Sequence, residues 1–151
     1  MSELNDENAG SSRVVVKVMP IGRSFVNGIS SAYDSINFDE RMSTFMTEAE
    51  FTSIIDDFNE TLVSFWPCGA CYFFGICCSP CTFGLSLLLP STCVSEAESH
   101  GRDFLRDISL KAKFYDQNIK FDLHRSTCTS YVEISFPQSL LNTYVAPSNQ
   151  K

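Results

Sequence analysis

The spacing of apolar residues changes character several times along the chain. Residues 13–18 read Arg-Val-Val-Val-Lys-Val, a β-branched run closed by Pro20 and Gly22, and they predict a strand. Residues 23–38 hold no single period. Phe25 and Val26 could open a second strand, Asn27-Gly28 is a hairpin-turn signal, and the serine-rich remainder reads as loop. From Phe51 the period becomes helical: Phe51, Ile54, Ile55, Phe58 and Leu62 form one stripe, with Asp56, Asp57 and Glu60 facing away. Thr47 and Glu50 have capping-box spacing and predict the start of this helix. Acids late in a helix oppose its dipole, so packing of the stripe must hold it.

A second capping box, Ser95 with Glu98, predicts another helix from there to about Asp116. Its apolar face is Phe104, Leu105, Ile108, Ala112 and Tyr115. Gly101 inside it costs about 1 kcal/mol relative to alanine. The chain then switches to period two. Ile119, Phe121 and Leu123 alternate with polar residues, as do Val132, Ile134 and Phe136, which predicts two half-buried strands with a turn at residues 126–130.

Between the helices lies a stretch of another kind. Residues 61–95 contain no charged side chain and hold six of the seven cysteines: Cys68, Cys71, Cys77, Cys78, Cys81 and Cys93. Residues 66–89, read as one helix, would reach about 36 Å, enough for a bilayer core of about 30 Å. The flanks argue for a different path. An isolated two-stranded hairpin is marginal in water, so the strand before the stretch and the two after it should share one sheet. That places both flanks on one side of a membrane. A bent segment turning near Ser79-Pro80 satisfies this, with two arms of about 20 Å each, too short to cross. The expected fold is α+β: a small antiparallel sheet with two amphipathic helices flanking a cysteine-rich, membrane-associated hairpin. The expected organisation is a disordered tail over 1–12, one domain over 13–137 with the hairpin at 61–95, and a flexible tail over 138–151. The alternative is a buried core hairpin without lipid contact.

Composition narrows the function. The net charge of −7 argues against nucleic acid and against simple electrostatic attachment to anionic lipid. Residues 1–12 lack the basic start and apolar core of a signal peptide, and Ser2 excludes N-myristoylation. A cytosolic start is expected, with reduced cysteines; an odd count of seven fits no closed disulfide set.

Four chemistries compete for the cysteines. Cys68-x2-Cys71 and Cys78-x2-Cys81 have zinc-knuckle spacing, but the linker is short and four thiolates would place charge inside an apolar segment. Trp66-Pro-Cys-Gly-Ala-Cys71 has thioredoxin-like letters but follows a helix rather than a strand. Free cysteine also packs as a small hydrophobe, the reading that suits Cys128 in its turn. S-acylation explains the cluster best, because one chain anchors weakly and two or more anchor stably. His100 and His124 are the general bases available near neutral pH, and both read as solvated side chains without a nucleophile pattern.

Several of these residues, in order, resemble the cysteine-rich hydrophobic domain (CHIC) family, related to the golgin subfamily A member seven and Ras-palmitoylation effector family. They are Arg13 to Val16, Phe38 to Met42 ahead of Thr47 to Phe51, Asn59 with Leu62, Cys77-Cys-Ser-Pro-Cys-Thr-Phe-Gly84 with Ser86, Pro90 with Cys93, and Tyr131 to Phe136. The chain departs from that pattern at Ser79-Pro80 and in the acidic Glu96 and Glu98 after the stretch. The cysteine core also looks like that of the PLAC-eight family, without its second cysteine element.

The resemblance implies an S-palmitoylated protein on the cytosolic face of membranes (Golgi, vesicles or plasma membrane), with an Asp-His-His-Cys palmitoyltransferase among possible partners. The resulting expectation is a non-catalytic adaptor or accessory subunit, lipidated within the set Cys68, Cys71, Cys77, Cys78, Cys81 and Cys93. It requires no metal, cofactor or small-molecule substrate. A partner-binding face is expected on Phe51, Ile54, Ile55, Phe58 and Leu62, or on Phe104, Leu105 and Ile108. The rival is a zinc-binding or redox module.

Overall fold

The structure is a computed structural model that describes residues 12–25, 27–67, 69–126 and 129–144; the side chains of residues 71, 72, 87, 89 and 142–144 lie outside the description. It is an α+β fold. A three-stranded antiparallel sheet, in the order β1-β3-β2, is built from β1 (Arg13–Val18), β2 (Lys120–Arg125) and β3 (Ser130–Pro137). Among the described residues five helices accompany it: α1 (Glu48–Phe65), α2 (Gly69–Cys77), α3 (Leu89–Leu110), α4 (Ala112–Tyr115) and α5 (Ser139–Tyr144). Short 3-10 turns occur at Glu40–Met42 and Leu85–Leu88.

The sheet joins the two ends of the described chain. Val16 lies opposite Ile134 on β3, and Phe121 lies opposite the same Ile134 from the other side. Alternation then sets the faces. Val16, Val18, Phe121, Leu123, Val132, Ile134 and Phe136 are buried on the inner face. The outer face is polar, with Lys17 Nζ 4.5 Å over the Tyr131 ring and His124 stacked on that ring.

Helix α1 starts as its sequence predicts. The Glu50 N–H donates to the Thr47 hydroxyl at 3.2 Å, and the Thr47 N–H donates to the Glu50 carboxylate at 3.1 Å. Lys113 on α4 also bonds this carboxylate at 2.7 Å, and that bond holds the Glu50 carboxyl below its usual range. The helix ends at Phe65, with Trp66 as its extended C-cap immediately before Pro67, which cannot continue it.

Helix α3 departs from expectation at both ends. It begins at Leu89, not at Ser95, because Pro90 occupies the first turn, where a missing N–H costs nothing. Glu98 pairs with Arg102 and Arg125 instead of turning back to cap Ser95. The helix breaks at Lys111, whose backbone is extended, so α4 is separate. The break rotates Phe114 into the core, where its ring meets Phe121 at 5.1 Å, and leaves Ala112 and Tyr115 exposed.

The packing of α1 against α3 organises the core. Phe65 stacks on His100 at 3.9 Å, Phe58 meets Phe104 at 6.1 Å, and Glu50 reaches Lys113. These pairings run in opposite directions along the two segments, so the helices are antiparallel. Gly101 sits at their closest approach: a β-carbon there would lie 2.9 Å from Leu62 and 3.0 Å from Phe58. The glycine that weakens the isolated helix is thus what lets two helices close together.

Much of the remaining core comes from residues 19–46, whose described residues form isolated bridges and a 3-10 turn but no strand. Asn27-Gly28 does make a tight turn, with Gly28 at φ 86° and single bridges at Ser24–Ser30 and Pro20–Tyr33; Val26 lies outside the described residues. Ile29, Tyr33, Met42, Phe45 and Met46 from this segment are buried. Asn59 of α1 pins it: the Tyr33 N–H donates to Asn59 Oδ1 at 2.7 Å, and Asn59 Nδ2 donates to the Tyr33 carbonyl at 2.9 Å. The Tyr33 and Ser130 hydroxyls share a hydrogen bond of 2.6 Å, and burial raises the Tyr33 pKa.

At the C-terminal side, residues 139–144 form α5 where a flexible tail is expected, because Leu140 and Leu141 pack on the core. The tails expected over residues 1–11 and 145–151, and the turn cysteine Cys128, lie outside the described residues.

Two stability measurements check this packing. Gly101→Val should destabilise by about 2 kcal/mol, as an overpacked core site does, read as a lower urea midpoint. Asn59→Ala should cost about 2 kcal/mol by removing both bonds to Tyr33. An unchanged midpoint for either would refute its role.

Candidate membrane-association site

The charge-free stretch leaves and rejoins the domain at one end. Helix α1 terminates at Phe65, level with His100 of α3 through their ring stack. Eleven residues of α3, 89–99, therefore extend beyond α1, a length of about 16 Å at 1.5 Å per residue. Helix α2, the turn at residues 78–84 and the 3-10 turn Leu85–Leu88 are attached to this extension.

Local polar chemistry builds the turn. Gly75 is buried where α2 meets the 3-10 turn: a β-carbon there would lie 3.1 Å from the Ser86 carbonyl. The Ser86 hydroxyl donates to the Gly75 carbonyl at 2.7 Å. Thr82 Oγ1 donates to the Cys78 carbonyl at 2.9 Å and accepts from the Ser86 N–H at 3.2 Å. The Gly84 N–H closes on the Ser79 carbonyl at 2.9 Å. Backbone groups in a water-poor environment need such internal partners.

The described large apolar side chains of this unit are exposed. Phe73 is 64% exposed, Ile76 67% and Leu85 69%, and Phe74 and Leu88 are also exposed. Phe83 is 99% exposed and has φ 51°, in the left-handed region that bulky residues avoid. The exposure of these side chains argues against the buried core hairpin.

Cys77, Cys78 and Cys81 lie among these side chains and are exposed, whereas Cys93 is half-buried on α3. Cys71 belongs to α2, with its side chain outside the description, and Cys68 is outside the described residues. Among the described residues no group of three His, Cys, Asp or Glu side chains is placed to hold a metal ion.

No helix among the described residues is long and apolar enough to cross a membrane. The nearest acids flanking the site are Glu60 and Glu96. Glu98 is tied up by Arg102 at 3.0 Å and Arg125 at 2.8 Å, which mutes its repulsion from an anionic surface.

Comparison of the chain with protein-family models, curated proteins and solved structures finds no significant match.

The partner face expected on the helices is corrected by the structure. Phe51, Ile55, Phe58, Leu62, Leu105 and Ile108 are buried, and Ile54 and Phe104 pack against the same cluster. The stripes of α1 and α3 cover each other and the inner sheet face, so neither is free. His100 stacks on Phe65, and His124 lies near Asp122 and Glu133 on the outer face of the sheet.

The apolar residues exposed at the turn were not singled out by sequence reasoning. Their signal was the missing charge between Thr61 and Ser95, since they follow no period. Phe83→Asp should weaken binding to phosphatidylcholine vesicles about thirtyfold, the equivalent of roughly 2 kcal/mol for a large apolar side chain. Flotation of the unacylated protein measures this, and unchanged flotation would remove Phe83 from the contact.

Proposed function

We propose that this protein is a non-catalytic, S-acylated peripheral membrane protein. Its cysteine-rich hairpin enters the cytosolic leaflet while the α+β body stays in the cytosol. One observation carries the reading: a charge-free turn exposes Phe73, Phe74, Ile76, Phe83, Leu85 and Leu88 around three exposed cysteines. Water disfavours such a patch, and lipid accepts it.

Depth agrees with this. The extension of about 16 Å matches roughly half of a bilayer core of about 30 Å. Acylation adds about 0.8 kcal/mol per buried methylene, so two acyl chains convert a weak contact into stable anchoring. The exposed thiols of Cys77, Cys78 and Cys81 lie where an acyl chain would enter lipid directly.

The body then acts as adaptor or accessory subunit, for a protein palmitoyltransferase or in vesicle trafficking. The resemblance to the CHIC family, related to the golgin subfamily A member seven and Ras-palmitoylation effector family, supports that role.

Acyl-exchange labelling of the protein expressed in cells should show a mass shift of two or more acyl groups. Cys77→Ser, Cys78→Ser and Cys81→Ser together should remove most of it, while Cys93→Ser alone should leave it nearly intact. No exchangeable acyl group on any cysteine, with about one zinc per chain in the purified protein, would favour the zinc module instead.

A further inference from the structure

A groove of about 800 Å³ lies between α3 and the start of β2, well away from the cysteine turn. Its helical wall is Arg102, Arg106 and Leu110, spaced four residues apart and so aligned on one face. Lys120 lines it on the strand side, with Leu110 and Tyr115 giving exposed apolar surface. The volume falls in the range of ligand-binding clefts.

Charge distinguishes this groove from the rest of the surface. The chain carries a net charge of −7, yet cations dominate here. Arg102 is held by Glu98 at 3.0 Å and by Asp122 at 3.5 Å. Among the described residues Arg106 and Lys120 have no carboxylate within ion-pair distance. Arg13 adds a third such cation, its guanidinium donating to the carbonyl of Asn118, itself a lining residue, at 2.9 Å. Asp103 and Asp122 line the wall too, with Asp122 directed to Arg102.

The backbone says how an occupant would lie. Phe121 directs its N–H away from β3 to the Ser109 hydroxyl, at 2.9 Å, and its carbonyl lies 3.4 Å from the same hydroxyl. Ser109 thereby occupies the strand edge at that point and blocks simple strand addition there. Recognition is left to side chains: carboxylates towards Arg106 and Lys120, and an apolar residue towards the exposed Leu110 and Tyr115.

We propose that this groove docks an acidic, extended segment of a partner protein in which carboxylates alternate with apolar residues. It supplies the partner surface that the buried stripes of α1 and α3 cannot. That the occupant is protein and not lipid headgroup rests on the membrane orientation proposed above. Arg106 stands about 26 Å along α3 from Leu89 at 1.5 Å per residue, towards the cytosol.

The test uses the full chain in detergent micelles and a capped, fluorescein-labelled peptide of alternating glutamate and leucine, read by anisotropy. Binding should weaken as salt rises. The double variant Arg106→Glu with Lys120→Glu should lose at least tenfold in affinity, and Arg106→Gln with Lys120→Gln at least threefold. Lys17→Glu, on the outer sheet face, should stay within twofold. Unfolding curves of each variant confirm that the body is intact; the glutamine pair serves if the charge reversal unfolds it. Equal affinity of wild type and the glutamine pair would overturn the proposal. So would equal binding of a lysine–leucine peptide, or competition by free glutamate or inorganic phosphate at the peptide's own concentration, which would make this a small-anion site. Vesicle flotation of the double variant should be unchanged. Flotation without peptide binding defeats the docking proposal alone, and peptide binding without flotation defeats only the membrane reading.

Discussion

The close approach of α1 and α3 at Gly101 is the contact on which the rest depends. Both ends of the charge-free stretch are fastened there: α1 leads into it and α3 leads out. With Leu62 and Phe58 against Gly101, the two helices run antiparallel and share one core with the sheet. The stretch must therefore start and finish at the same end of the body. A side chain at position 101 would force the helices apart and loosen the geometry that presents the cysteine turn.

The turn solves two problems with different residues. Its backbone polar groups find partners locally, through Thr82, Ser86 and the left-handed pair Phe83 and Gly84. Its described large apolar side chains, Phe73, Phe74, Ile76, Phe83, Leu85 and Leu88, stay exposed. A unit satisfied internally in hydrogen bonds but unsatisfied in its apolar surface suits a lipid interface better than water. The body carries the opposite chemistry. Its apolar stripes are spent on the core, and what remains for recognition is a groove with uncompensated cations. The proposed anchor and the proposed docking groove thus lie at opposite ends of α3.

Sequence periodicity proved a good guide wherever one face of an element is buried against another. The three strands, the Thr47–Glu50 cap and the stripe of α1 were all legible, because alternation and helical spacing report burial directly. The Ser95–Glu98 capping box misled. Its residues have the right chemistry, but Pro90 allows the helix to start earlier, and Glu98 finds Arg125, a partner distant in sequence. The break at Lys111 and the burial of Phe114 in place of Tyr115 were equally invisible, since no proline or glycine marks them.

By itself the sequence determined the three strands and helix α1, that one stretch carries no charge, and that its cysteines are concentrated there. Those are local properties, written in composition and period. Only the tertiary structure decided which apolar residues are core and which are exposed. Ile55 and Phe83 are both large and apolar, yet one is fully buried and the other almost fully exposed. That difference depends on what stands opposite each side chain in space, and Phe83, at the tip of a turn held beyond the end of α1, has nothing opposite it to pack against.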